Sequence, residues 1–197
     1  MRAEYELISN WIAPGSRVLD LGCGNGDLLA HLGDTLGVFG YGIEIGHDEI
    51  RACVARGVNV IEQDIDGGLR NFDDGSFDTV VMTQALQALH RPNLVIGEML
   101  RVGREAIVTF PNFGHWRPRL HVALKGRMPI SKSLPHQWYD TPNIHLCTFR
   151  DFEVLCRDIH WRVLERLVAD ANHVQGALMQ SLPNLLGEIA IYRLTRK

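Results

Sequence analysis

The segment Val18-Leu19-Asp20-Leu21-Gly22-Cys23-Gly24-Asn25-Gly26 constrains this chain more than any other part of it. An apolar strand, interrupted by a single carboxylate, runs straight into alternating glycines, and a helical pattern resumes after them. Glycine tolerates positive φ and lets a ligand lie against the backbone with no Cβ in the way. The helix that follows presents free N–H groups at its start. A glycine triplet alone is weak evidence, because any tight strand-to-helix turn favours glycine. The strand before it and the helix after it supply the weight.

The same alternation continues to residue 110, the signature of a sheet built from βαβ units. A first helix is expected over about Glu4–Ile12, closed by Pro14-Gly15. Strands are expected at Arg17–Leu21, Phe39–Ile45, Val58–Gln63, Phe77–Thr83 and Glu105–Phe110, with helices at about Gly26–Leu32, Asp48–Arg56 and Pro92–Val102. After an irregular stretch, Thr148 and Asp151 open a capped helix running to Arg157. Trp161–Val168 and Ile189–Leu194 complete the set as an antiparallel pair at one end of the sheet. The expected class is α/β and Rossmann-like: about seven strands, mostly parallel, helices on both faces, and an irregular insert after strand five. Residues 1–197 fit one domain of ordinary size.

The glycine spacing narrows the ligand. A dinucleotide loop reads Gly-x-Gly-x-x-Gly. Here the third glycine comes one residue early, and Asp27 stands where that pattern reserves Gly or Ala. A carboxylate at that helix start repels a phosphate and competes for the same N–H groups. A nucleoside without phosphates avoids the conflict, and S-adenosylmethionine is one whose sulfonium and ammonium suit an acidic site. Glu44, followed by Ile45, ends strand two, where a carboxylate can accept from both ribose hydroxyls. Asp64, followed by Ile65, closes strand three and is placed to accept from an adenine amino group. Asp20 lies inside an apolar strand, an expensive position without a partner, which a loop N–H or a ligand ammonium can provide. With Gly22, Cys23, Gly24 and Gly26 these residues make the expected cofactor site.

An apolar strand ending Asp-Leu-Gly-x-Gly-x-Gly, an acidic end to strand two and Asp after strand three resemble the class I S-adenosylmethionine-dependent methyltransferases. Phe77-Asp78 opening strand four, then Leu86 to Arg91 and Pro92, extend that likeness over about residues 15–110. It implies that Thr83 and Gln84 also line the cofactor pocket. A narrower resemblance rests on Pro111-Asn112-Phe113-Gly114-His115-Trp116-Arg117, on Gly126-Arg127-Met128-Pro129 and on the run from Gln137 to Cys147. These compositionally odd strings look like the MetW family of methionine biosynthesis proteins. That resemblance implies a partner or modulator of MetX, a homoserine O-acyltransferase, built on a methyltransferase fold. Two functions stay open: an accessory subunit that binds S-adenosylmethionine and acts on homoserine acylation, or a methyltransferase for an unidentified small molecule.

Residues 111–147 carry five lysines and arginines against one acidic residue, with four histidines besides, while residues 1–110 hold sixteen acidic residues against eight basic ones. With five prolines and two tryptophans, the segment is expected to be a lid or a partner-binding insert. Its candidate substrate or partner residues are Asn112, His115, Trp116, Trp138, Tyr139, Asp140 and His145. The tryptophans and the tyrosine can equally anchor the segment by burial. The sequence names no catalytic residue, and since methyl transfer can proceed by positioning alone the missing base does not decide the matter. His145-x-Cys147 closes no metal-ligand set, so no metal is expected. Four scattered cysteines read as reduced thiols in cytoplasm. The acidic sheet region and a pI near 6.3 argue against nucleic acid. No apolar run nears the roughly 20 residues that cross a bilayer, and no signal peptide is visible at the start.

Overall fold

Parallel strands covered on both faces read as unbroken apolar runs, and in this chain the most apolar strands lie at the centre of the sheet. The computed structural model describes residues 3–131, 134–170 and 174–197, so Lys132 and Ser133 of the insert lie outside the described residues. In chain order the elements are α1 (Ala3–Ser9), β1 (Arg17–Leu21), α2 (Asp27–Leu36), β2 (Phe39–Glu44), α3 (His47–Ala55), β3 (Asn59–Glu62), β4 (Phe77–Thr83), α4 (Pro92–Val102) and β5 (Gly103–Pro111). Then come α5 (Trp116–Lys125), α6 (Phe149–Asp158), β6 (Trp161–Ala169), α7 (Ala177–Ser181), α8 (Pro183–Leu186) and β7 (Ile189–Arg196). Single 3-10 turns follow β3 at Ile65–Gly67 and β4 at Leu86–Ala88.

The seven strands form one sheet in the order β3-β2-β1-β4-β5-β7-β6. Strands β1 to β5 pair in parallel, and β7 runs antiparallel to both β5 and β6. The chain builds outward from β1 to β3 and then returns to place β4 on the other side of β1. That reversal is the switch point at which open α/β sheets leave a crevice. The architecture is the expected Rossmann-like α/β sheet with its antiparallel end pair.

Each face of the sheet has its own apolar layer. Leu19, Leu21, Val80, Met82, Val108 and Phe110 meet residues of α4 and α6. Val18, Val81 and Ile107 meet α1 and α2. Alternation along each strand makes this partition, since successive side chains point to opposite faces. Aromatic packing holds the α6 side: Phe110 stacks on Tyr192 at 6.0 Å between centroids, and Phe152 lies 4.7 Å from the same ring.

Some boundaries move. α2 continues past Leu32 to Leu36, where Gly37 at φ 63° caps it with its N–H on the Gly33 and Leu32 carbonyls. β5 spans Gly103–Pro111 because β7 pairs along it from Glu105 to Pro111. Inside the insert, α5 begins at Trp116, two residues before Pro118, a first-turn position where proline removes no helical bond. α7 and α8 have no counterpart in the expected elements; both are short and sit between Gly176 and Gly187.

The expected capping box is present at α6. The Thr148 side chain accepts from the Asp151 N–H, and the Asp151 carboxylate accepts from the Thr148 N–H. Replacing Thr148 with Ala removes one arm of the box where the insert rejoins the sheet. The expected loss is about 1 kcal/mol, read as a lower urea midpoint with an unchanged m-value.

Candidate ligand site

The glycine loop is stitched to β2. The N–H groups of Gly22 and Cys23 both donate to the Ile43 carbonyl, at 2.8 and 3.1 Å. Gly22 has φ 69° and Gly24 φ 54°. A Cβ on Gly22 would stand 3.3 Å from Ala85 Cβ and 3.7 Å from Ile65 Cδ1, so the loop, the end of β4 and Ile65 meet there. A Cβ on Gly24 would meet nothing within 4 Å, and its strained φ faces open space. The Cys23 thiol packs 3.8 Å from that of Cys53 and against Gly42. Burial and the neighbouring Asp20 carboxylate push it well above its usual pKa, which makes it a packing group and not a nucleophile.

Asp20 is 1% exposed, and its Oδ1 has no hydrogen-bond partner. Burial first, then the carboxylates of Glu44 and Glu4, push its pKa up to about 7. A buried, unpartnered acid on a central strand carries a cost that a packed core does not require.

Glu44 differs from its expected state. Its Oε2 accepts from the Gly24 N–H at 2.8 Å, and its Oε1 accepts from the N–H groups of Ile45 and Gly46 at 2.8 and 3.0 Å. The carboxylate is thus the tie between the glycine loop and the start of α3, and a ribose would share it with these amides. Ile45 is exposed beside it. Asp64 is exposed, with Oδ1 accepting from the Asp66 N–H at 2.9 Å. Thr83 closes β4, and Gln84 follows in a left-handed conformation at φ 51°. Asp27 does not spend its carboxylate on the loop amides, because it pairs with Arg56. Its charge is compensated, so the argument it gave against a phosphate is weaker than the spacing alone implied.

The insert's candidates do not converge. Asn112 is buried and structural: Nδ2 donates to the Gly187 carbonyl at 2.7 Å, and Oδ1 accepts from Gly114 N–H at 2.9 Å. His115 is buried next to it, at the start of α5, and burial holds its pKa below the usual value. Trp116 is half exposed beneath the Arg117 guanidinium, which lies 5.5 Å from its ring. His145 lies beside the 3-10 turn after β4, where its backbone N–H and that of Ile144 donate to the Gln87 carbonyl, and two residues on the Cys147 carbonyl accepts from the Phe113 N–H at 3.0 Å. Trp138 and Tyr139 are 75% and 71% exposed, edge to face with each other, so burial does not anchor the insert through them. Asp140 adjoins this exposed pair.

Two features escaped the sequence reading. Glu4 is buried at the ends of β4 and β5, bonded to residues 80 and 105 positions away, a pairing that no local pattern signals. A largely apolar cavity of about 180 Å³ lies between Leu86, Ile96, Phe110, Phe152 and Leu146, with the buried Gln87 Oε1 left without a hydrogen-bond partner. Among the described residues no group of acidic, histidine and cysteine side chains is arranged to hold a metal ion, and no helix is long and apolar enough to cross a membrane.

The family model for methionine biosynthesis protein MetW matches residues 2–194. The chain belongs to the MetW family. Over its whole length it is 34% identical to the bifunctional methionine biosynthesis protein MetXA/MetW of Rhodopirellula baltica, and it spans 33% of that longer protein. Among solved structures, an S-adenosylmethionine-dependent methyltransferase of Archaeoglobus fulgidus superposes with a TM-score of 0.71 at 15% identity, covering 99% of this chain and 92% of that one. The [4+2]-cyclase SpnF superposes with a TM-score of 0.68 at 17% identity, covering 98% and 80%. These likenesses establish the class I methyltransferase fold for this MetW family member.

Two acidic substitutions at the site should act in opposite directions. With a folded pKa near 7 against an ordinary 3.8, the neutral Asp20 carboxyl favours the fold fully below about pH 4, and that contribution is lost as pH rises to about 7. Asp20→Asn should therefore match wild type near pH 4 and exceed it at pH 8, on the order of 3 kcal/mol. Glu44→Ala unpairs the three amides and should cost about 1–2 kcal/mol. Chemical denaturation of both variants at the two pH values reads the contrast.

Proposed function

We propose that this protein binds S-adenosylmethionine at the glycine loop and acts with, or on, a homoserine O-acyltransferase of the MetX kind in methionine biosynthesis. The observation that carries the partnership is the Rhodopirellula protein, in which one chain bears both names, MetXA and MetW. Fusion raises the effective concentration of one unit for the other, a gain for units that work together. The unpartnered Asp20 and the open space over Gly24 support the cofactor. Bound there, S-adenosylmethionine would set its adenine toward Asp64 and Ile65 and its ribose toward Glu44 and Ile45. Its methionyl end would lie over Gly22 to Gly26, near Asp20, Thr83 and Gln84. When bound it would serve as an end-product signal or as a methyl donor, and this chain's residues would hold and orient it. A cytoplasmic location goes with this reading and fits the four free cysteines.

The insert is the proposed partner surface. Leu124, Ile130, Trp138 and Tyr139 are exposed there among basic residues, and a large apolar patch with a polar rim marks an interaction site. Trp and Tyr are the residues that most often anchor such interfaces. Asn112 and His115, being buried, would set the insert's departure from β5 and not touch the partner.

A second reading, methyl transfer to a small molecule, is favoured by the cavity beside Gln87, whose buried acceptor suits an apolar acceptor carrying one hydrogen-bond donor. It predicts that labelled methyl from the cofactor appears in a metabolite of a cell extract, with the signal lost on Glu44→Ala.

The partner reading predicts co-purification with the acyltransferase and a changed acylation rate when this protein is added. Trp138→Ala with Tyr139→Ala should weaken that association about tenfold or more while thermal stability stays within error. No association and no change in rate would contradict it.

A further inference from the structure

Glu4 is a buried charge that the cofactor reading does not need, and its surroundings say what it is for. It is 1% exposed. Its Oε1 accepts from the Thr109 hydroxyl at 2.7 Å and its Oε2 from Gln84 Nε2 at 3.1 Å. Thr109 Oγ1 also accepts from the Gln84 N–H at 3.0 Å, which fixes Gln84 in its left-handed conformation at the end of β4. The network thus holds a carboxylate at the crevice where the strand order reverses.

Asp20 faces the same side of the sheet. Val18 and Ile107 both pack toward α1 and α2, and alternation places Asp20 and Thr109, each two residues further on, on that face. Two carboxylates, Glu4 and Glu44, therefore act on a third, Asp20, whose buried Oδ1 has no partner. Along the sheet, Asp64 ends β3, Glu44 ends β2, Asp20 lies in β1, and Glu4 sits over β4 and β5. A ligand with adenine at Asp64 and ribose at Glu44 directs its remaining end toward Asp20 and Glu4.

We infer that Glu4 is a specificity-determining countercharge that, together with Asp20, makes this site select its ligand by the positive charge of the methionyl end. The inference rests on the cofactor reading above and adds a selectivity to it. S-adenosylmethionine carries a sulfonium that its demethylated product, S-adenosylhomocysteine, lacks. Methylthioadenosine keeps the adenosine and the sulfur but has neither the sulfonium nor the amino-acid tail. S-adenosylmethionine has one more positive charge than either of the other two, so a site ordered by charge takes it first. A protein with such a site reports the methyl donor and not the spent product.

The test is calorimetric titration of the full chain at pH 8, where Asp20 is ionised, with each of the three compounds. Wild type should bind S-adenosylmethionine at least about tenfold more tightly than S-adenosylhomocysteine. Glu4→Gln should bring the two within about threefold and leave methylthioadenosine unchanged, while Glu4→Asp keeps the preference. An equal loss for all three ligands, or an unchanged ratio in Glu4→Gln, would overturn the inference. So would wild type that binds the product as tightly as the methyl donor, a result that depends on no variant folding. Wild type that binds none of the three would overturn the cofactor reading itself.

Discussion

A carboxylate in the middle of a covered strand is the constraint on which the rest of this site depends. Asp20 lies on β1, paired with Gly42 on β2 and with Val81 on β4, the strand across the switch point of the sheet. Exchange for an apolar residue would relieve the burial cost at once. What surrounds it instead adds to that cost: Glu44 at the end of β2 and Glu4 from α1 both oppose its ionisation. Proteins hold such strained groups where function uses the strain. The glycine loop begins two residues later and is fastened to Ile43 and Glu44, so hydrogen bonds tie the open backbone to the charge cluster.

The other half of the molecule has a different character. From β5 onward the sheet is closed by β7 and β6, and the insert leaves and rejoins it through buried fixtures: Asn112 against Gly187 at one end, the Thr148–Asp151 box at the other. Between those fixtures, large apolar side chains face outward. A fold seen both in methyltransferases and in a cyclase does not decide chemistry, which has to be read from the site. Here the cofactor crevice is built in detail while the residues first considered for catalysis are scattered.

Much of this was legible in the chain itself. β1, β4 and α4 fall where periodicity, glycine and the first-turn proline place them, because each is decided by local burial pattern and local capping. The extension of β5 to Pro111 was not legible, since that end is set by pairing with β7, about 80 residues on. α7 and α8 carry too few residues to show a period. Glu4 is named in the sequence only as the start of the first helix, and its contact with Thr109, 105 residues on, has no local signal. Aromatic residues in a long insert suggested burial, but Trp138 and Tyr139 turn outward, a choice that depends on what covers them and not on their own composition. Asp27 misled in the same way, since its partner Arg56 lies in another helical unit.

The central claim is that Asp20 is held partly protonated, awaiting a cation. The most direct measurement is calorimetric titration of the protein with S-adenosylmethionine at pH 7 in two buffers of different ionisation enthalpy. With burial holding the Asp20 pKa up, binding of a cation beside it should release protons, seen as a buffer-dependent heat. Absence of binding, or binding with no proton released, would contradict the account.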